Sequence, residues 1–431
     1  MIALGRVLLA LALVIAAALP GAAQGAAEAI GGTVRAPDPD GGTTPVAGVR
    51  IAVGVAGGAP VGEARTDERG RWSVDLPGPG RYTATIDRTT IPAGLALREG
   101  ASAALTIEIV RNDRGIVVFP LAAAAAVPAV EDAGPGVPAR LLQLAVDGLV
   151  FGLALGLAAV GLSLIFGVVR IVNFGHGDVI SAGALVAVLL NAVDGGPQMH
   201  LVAAGIAAVL AAGLLGLVFE GLFRRIDARA TDHFTVLVFS IGVSFVLRHA
   251  LLFAFGPANL PYRQYLLQDL IRIGPVLIAP RDLAVAAISA LLLVAVGLLL
   301  LRTRVGRAMR ATATNRALAA QSGIDVRRIA RLTWVIGTML AAAGGVLLAI
   351  GQQARWDMGY QMLMFIFAAV ILGGIGTAFG AMAGGLLIGL VAQLGTFVIP
   401  PELKPAVVMA VLVAVLLYRP LGLFNRARRI G

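Results

Sequence analysis

Two textures of apolar and polar positions divide the chain. Between Ile30 and Leu121 apolar residues alternate with small or charged ones in short runs. Val49, Ile51 and Val53 form one such set, followed by Trp72, Val74 and Leu76, then Tyr82, Ala84 and Ile86, then Leu105, Ile107 and Ile109. Period two between Gly, Pro and Asp turns predicts a small antiparallel β-sandwich. Beyond residue 140 the period disappears and long uncharged runs take over, at 148–169, 179–193, 195–219, 283–301 and 332–354, with 234–256 broken only by Arg248. A helix needs about 20 apolar residues to cross a bilayer. The charge-free stretch 363–400 would be roughly 57 Å long as a single helix, so it must fold back, and "GGIGTAFG" (373–380) is the turn. A last run occupies 405–418. The predicted fold class is a polytopic α-helical membrane protein of about eight or nine transmembrane helices, preceded by a small all-β sandwich domain.

The first residues, "MIALGRVLLALALVIAAALPGAAQG", give Arg6, an apolar run from Val7 to Leu19, then Pro20 and small residues. That order reads as a secretory signal over 1–24, too short to span comfortably. The expected organisation continues with an extracytoplasmic β-sandwich over 25–121 and an Ala/Pro/Gly-rich linker over 122–140. A membrane domain over 141–425 and a tail over 426–431 complete it.

Composition agrees with this division. The chain is 58% hydrophobic and 13% charged, with mean hydropathy +0.89; soluble domains carry about 25% charged residues. The net charge of +10 falls between apolar segments, which reads as topology and not as nucleic-acid binding. Arg224, Arg225 and Arg229, the eight arginines between 302 and 331, and Arg419, Arg426, Arg428 and Arg429 all mark a cytoplasmic side. Segment 194–200 has no Lys or Arg and reads as external. Counting nine crossings back from the tail puts residue 140 outside, where a signal peptide would deliver the β-domain. Arg263, Arg272 and Arg281 fall in an external loop against the rule. The chain has no cysteine, and its single lysine, Lys404, is in "PPELKP". Disulfides, thiol chemistry, Cys-ligated metals and a Walker A loop are therefore excluded. No cofactor or metal site is expected, and any ATP chemistry must come from a partner.

Ionisable groups in the membrane part are few: Asp147, His176, Asp178, Glu220 and Arg248 stand at or near segment ends. A proton-coupled carrier needs carboxylates held in mid-span, so the pattern disfavours one. In "RIVNFGHGD", His176 and Asp178 could serve as an acid/base pair, but no nucleophile or second metal ligand accompanies them. A polar helix break, packed in protein or lining a cavity, is the plainer reading. Gly373, Gly374, Gly376, Gly380, Gly384 and Gly385 suit close helix packing and a turn, with a place in a translocation path as the alternative. From Val305 to Gln321, Met309, Ala313, Ala317 and Ala320 share one helical face while Thr303, Arg307, Arg310 and Thr314 share another. Gly323 ends that helix. Such an amphipathic element lies on anionic lipid, orients the protein, or docks into a partner.

Four blocks in order carry a resemblance. "GLALGLAAVGLSLIFGVVRIVNFGHGDVISAGALVA", "TRVGRAMRATATNRALAAQSGIDVRRI", "MGYQMLMFIFAAVILGGIGTAFGAMAGGLLIGL" and "YRPLGLFN" resemble the permease subunits of branched-chain amino-acid (Leu/Ile/Val-type) ABC importers from about Leu141 to Phe424. Asn173, Phe174, His176, Gly177 and Asp178 stand in the places of that family's Asn-Phe-Ala-His-Gly-Glu signature, with Gly175 and Asp178 replacing Ala and Glu. Gly306, Arg307, Arg310, Ala311, Asn315, Ala319, Gly323 and Ile324 fall in its ATPase-coupling loop. The resemblance implies a transport subunit and not an enzyme, placed in the cell membrane with its C-terminus cytoplasmic. It implies half of a translocation path, completed by a second related permease, two cytoplasmic ATP-binding subunits and an extracytoplasmic substrate-binding protein. Branched-chain amino acids are the implied cargo. Urea or short amides, carried by relatives, are the alternative, and an autonomous secondary carrier is a more distant one. "TPVAGVRIAV" and "ARTDERGRWSVDLPGPGRYTATI" resemble the carboxypeptidase regulatory-like fold, a departure from the common permease plan.

Overall fold

A computed structural model describes residues 29–37, 43–56, 58–97, 102–109, 114–117, 119–123, 136–192, 197–228, 233–262, 264, 270–419 and 422–423. The expected signal segment 1–24 and tail 426–431 lie outside the described residues. The chain divides into two compact units, 21–134 and the remaining residues, of which 136–423 hold the described helices.

The first unit is the expected all-β domain. Strands β3 (Arg50–Val55), β4 (Pro60–Arg65), β6 (Gly80–Ile86) and β8 (Ala104–Ile109) form one sheet in the order β4-β3-β6-β8. The other is built on β1 (Ala29–Pro37), which pairs with β2 (Thr43–Pro45), β5 (Arg71–Asp75), β9 (Arg114–Ile116) and β10 (Phe119–Ala123); β10 in turn pairs with β7 (Leu95–Leu97). The inward set is the alternating one: Val49, Ile51, Val53, Trp72, Val74, Leu76, Tyr82, Ala84, Ile86 and Ile109 are buried. Leu105 and Ile107 are only half-buried, being on the outermost strand of their sheet. The expectation of purely antiparallel pairing needs correcting. β1 runs parallel to both β9 and β10, because these late strands return to flank the first one.

At the turn between β4 and β5, Asp67 Oδ1 accepts hydrogen bonds from the backbone N–H groups of Arg71 (2.8 Å) and Arg69 (2.9 Å), and Gly70 takes φ 70°. The Arg71 backbone bond, helped by that of Arg69 and by the Arg71 side chain, holds the Asp67 carboxyl below its usual range. The acidic pair Asp67-Glu68 thus opens a hairpin turn.

In the second unit, α1 (Val137–Val169), α2 (Gly175–Asn191), α3 (Leu201–Asp227) and α4 (His233–Phe255) are followed by a short hairpin, β11 (Ile271–Ile273) and β12 (Val276–Ile278). Then come α5 (Pro280–Arg302), α6 (Arg304–Thr314), α7 (Arg316–Gln321), α8 (Val326–Gln352), α9 (Met358–Gly373), α10 (Ala378–Gly395) and α11 (Lys404–Tyr418). Among the described residues seven helices are long and apolar enough to cross a bilayer, and α2 and α9 are shorter apolar helices. The expected linker over 122–140 overlaps β10 at one end and the first residues of α1 at the other.

Small residues let the central helices touch backbone to backbone. α1 packs on α10 and α8. A Cβ on Gly385 would lie 2.6 Å from Gly156 Cα, and one on Gly161 would lie 2.4 Å from the Gly337 carbonyl. The run 363–400 does fold back at the glycine cluster. Gly374 (φ 99°) and Gly376 (φ 82°) make the turn, where an L side chain would be strained. Gly373, Gly380, Gly384 and Gly385 sit at the contacts: a Cβ on Gly373 would meet the Gly380 carbonyl at 2.1 Å.

The single helix expected over Val305–Gln321 is two. Asn315 is extended (φ −153°, ψ 106°) and caps α7, its Oδ1 accepting from Leu318 N–H at 3.0 Å. That break re-aims the second half, so Ala319 is buried while Ala317 and Ala320 are exposed. A side chain that competes for backbone donors wins over continued helical pairing here.

Candidate functional site

The signature around residue 175 occupies the centre of the helical unit. α1 ends at Arg170, a non-glycine residue with φ 65°, and residues 170–174 run back alongside the helix before α2 begins at Gly175. His176 Nε2 lies 2.9 Å from the Ala158 carbonyl oxygen. From Ala158 to the end of α1 is about 16 Å at 1.5 Å per residue, so α2 starts deep in the bundle. Asn173 is buried, and its Oδ1 accepts from Gly175 N–H at 3.0 Å, satisfying one of the orphan donors of α2. Gly177 lies against α9. A Cβ there would be 2.7 Å from the Gly359 carbonyl, and Ser181 Oγ accepts from Gly359 N–H at 2.9 Å.

Asp178, in the first turn of α2, is fully buried. Arg248 of α4 donates from Nε to Asp178 Oδ1 at 3.0 Å and from Nη2 to Ser244 Oγ at 2.9 Å. The Ser244 hydroxyl in turn donates to Asp178 Oδ2. The Arg248 guanidinium lies 3.6 Å from the centroid of the Tyr360 ring on α9, a cation–π contact that covers its remaining face. Three helices meet at one charge-paired, hydrogen-bonded knot.

Asp178 does stand at the end of its helix, and Arg248 is two turns from the end of α4, but both are buried. The returning loop carries Asp178 inward, and Arg248 is 7% exposed. His176 and Asp178 are adjacent in sequence but do not pair: one bonds to α1 and the other to α4. Ser244, Tyr360 and Ser181 were not legible as members. Arg248 offered a signal, since an arginine inside an apolar run needs a buried partner and acids are scarce.

The cluster is tied to the arginine-rich loop. Arg170 Nη2 donates to the Ala313 carbonyl at 2.9 Å. α6 is clamped to α5: Thr303 caps it by accepting from Gly306 N–H at 3.0 Å, and a Cβ on Gly306 would meet the Leu299 carbonyl at 2.1 Å. Gly306, Met309 and Thr312 face inward; Arg307, Arg310, Ala311 and Asn315 face outward. Gly323 (φ 80°) ends α7, with Ile324 half-buried behind it.

A partly open cavity of about 690 Å³ runs along α9. Gln352, Gln361, Gln393, Glu402 and Lys404 line it together with Phe151, Phe174, Tyr360, Phe365 and Phe367. Tyr360 thus both lines the cavity and contacts Arg248.

A bundle in which seven of the described helices are long and apolar enough to cross a bilayer is that of a multi-pass membrane protein. Residues 144–416 match the family model described as branched-chain amino acid transport system / permease component, and the chain belongs to that family. It is 31% identical over 299 residues to the high-affinity branched-chain amino acid transport system permease protein BraD of Pseudomonas aeruginosa, covering 66% of this chain and 96% of that one. LivH of Salmonella typhimurium, a permease protein of the same description, is 31% identical over 300 residues, again 66% and 96% of the two chains. LivH of Escherichia coli K12 is 30% identical with the same coverage. Among solved structures, PsaBC from Streptococcus pneumoniae in complex with Fab aligns over 63% of this chain and 90% of that one at 12% identity and TM-score 0.36.

Proposed function

We propose that this permease is the membrane subunit of an ATP-driven importer and forms half of the path for branched-chain amino acids. A second related permease supplies the other half, separate cytoplasmic ATP-binding subunits supply the energy, and an extracytoplasmic binding protein delivers the cargo. The cargo follows the named relatives, each described as a branched-chain amino-acid permease. The observation that carries the reading is the mounting of α6: its inner face is clamped to α5, Ala313 is held by Arg170, and Arg307 and Arg310 point away from the bundle. That geometry suits a surface on which a partner pushes and a tether through which the push reaches the buried cluster. Gly306, Arg307, Arg310, Ala311, Asn315, Ala319, Gly323 and Ile324 form this coupling segment. Asn173, Phe174, His176, Gly177 and Asp178 form the receiving end.

A secondary carrier is the poorer reading. Its coupling carboxylate would have to load and release a proton, whereas Asp178 is held by Arg248 and Ser244. The orientation that suits the arginine pattern places residues 303–325 and the C-terminus in the cytoplasm and the β-domain outside. Glycines 373, 374, 376, 380, 384 and 385 serve as turn and packing positions. The test is co-expression of the chain with its candidate ATP-binding and second permease subunits, purification by a tag on this chain, and leucine uptake into proteoliposomes supplied with the candidate binding protein. Recovery of the ATP-binding subunit with ATP-dependent uptake supports the reading; active transport by the chain alone would overturn it.

A further inference from the structure

The cavity along α9 is graded in polarity. Gln352, at the end of α8, Gln393, near the end of α10, and Glu402 and Lys404, at the start of α11, gather with Gln361 at one end of it. Phe365 and Phe367 stand about 6 and 9 Å further along α9 than Gln361. There Phe151 meets Phe365 edge-on at 6.1 Å between ring centroids, and Phe174 meets Phe367 at 5.3 Å. Lys404 is the only lysine in the chain, it is half-buried, and Asp147 of α1 acts on it electrostatically. A volume of about 690 Å³ is in the range of small-molecule sites, which are mostly apolar with a few polar groups that fix orientation.

An aliphatic amino acid is itself graded, with an ammonium and a carboxylate at one end and a hydrocarbon at the other. Neither charged group enters an apolar cavity without a partner. We propose that this cavity is a binding station for a zwitterionic aliphatic amino acid, with Glu402 receiving the ammonium, Lys404 the carboxylate, and Phe151, Phe365 and Met364 covering the side chain. The proposal rests on the import reading above and names the site within it.

The absence of cysteine in the chain gives a clean test. Met364 lines the cavity and is 46% exposed, so Met364→Cys is labelled with a maleimide in the assembled, reconstituted transporter. Leucine is expected to slow labelling of this chain by about twofold or more, as half-occupancy of the site requires. Isocaproate, which lacks the ammonium, and isoamylamine, which lacks the carboxylate, protect far less. Adding Lys404→Met removes the leucine protection, and Lys404→Arg retains it. Labelling unaffected by leucine, in a preparation that still imports leucine, overturns the proposal, as does equal protection by isocaproate. Failure of that preparation to import leucine with ATP and all partners present would instead overturn the import reading.

Discussion

Arg170 and Ala313 are 143 positions apart in sequence, yet the guanidinium of one holds the carbonyl of the other at 2.9 Å. The first belongs to the loop that returns into the bundle, the second to the outward-facing basic helix. Loss of this bond through Arg170→Ala is expected to lower leucine uptake per ATP hydrolysed by about threefold to tenfold, the worth of one solvent-exposed hydrogen bond. Arg170→Gly controls for the backbone: it relieves the φ of 65° but loses the same bond, so equal coupling defects in both variants assign the effect to the side chain. Parallel assays of uptake and ATP hydrolysis in proteoliposomes read this out.

The knot of Asp178, Ser244 and Arg248 predicts a particular double-mutant result. Removing one charge leaves the other buried, so Asp178→Leu or Arg248→Met alone should destabilise the bundle by about 3–5 kcal/mol. Combining them removes both charges and should recover most of that loss. Thermal unfolding in detergent, compared across the four proteins of the cycle, decides it; additive losses would contradict the pairing.

Helix contact at Gly359 is closer than any side chain allows, since a Cβ there would lie 1.9 Å from the Gly177 carbonyl. Gly359→Ala must push α9 from α2 and should cost about 1–3 kcal/mol. On α4, a Cβ on Gly242 meets nothing within 4 Å, so Gly242→Ala should be neutral or slightly stabilising. The same unfolding measurement compares them.

In the β-domain, Asp67 predicts a pH dependence. Its folded pKa is lowered below the ordinary 3.8 by its backbone bonds. The stabilisation is therefore present above that ordinary value and is lost as pH falls through the lowered one. Exchange of the Arg71 amide hydrogen, corrected for its intrinsic rate, should speed up in that acid window. Asp67→Asn should flatten the response, and an unchanged profile would contradict the assigned role.

Much of this is legible in the sequence. The buried strand positions followed from period two, and the turn at Gly374 and Gly376 followed from a charge-free run too long for one helix. What sequence could not supply is contact between distant segments. Asp178 is at the end of its helix as the sequence suggests, but the depth of that end is not legible, because a linear reading gives residues 170–174 no direction; only packing against α1, with His176 on Ala158, turns them inward. The break at Asn315 was hidden because alanines on both sides favour helix, while one capping amide overrides them. Arg248 was visible as an anomaly, but its partner, 70 residues earlier, was not.

The central claim, that α6 couples a partner's ATP hydrolysis to movement in this bundle, is tested most directly by Arg307→Glu with Arg310→Glu. Both side chains are exposed, so folding should change by no more than about 0.5 kcal/mol. The measurement is leucine taken up per ATP hydrolysed by the reconstituted complex. A fall of about tenfold or more in the reversed-charge protein, with the bundle's unfolding temperature unchanged, is the predicted result. Uptake per ATP equal to that of the unaltered protein would contradict it.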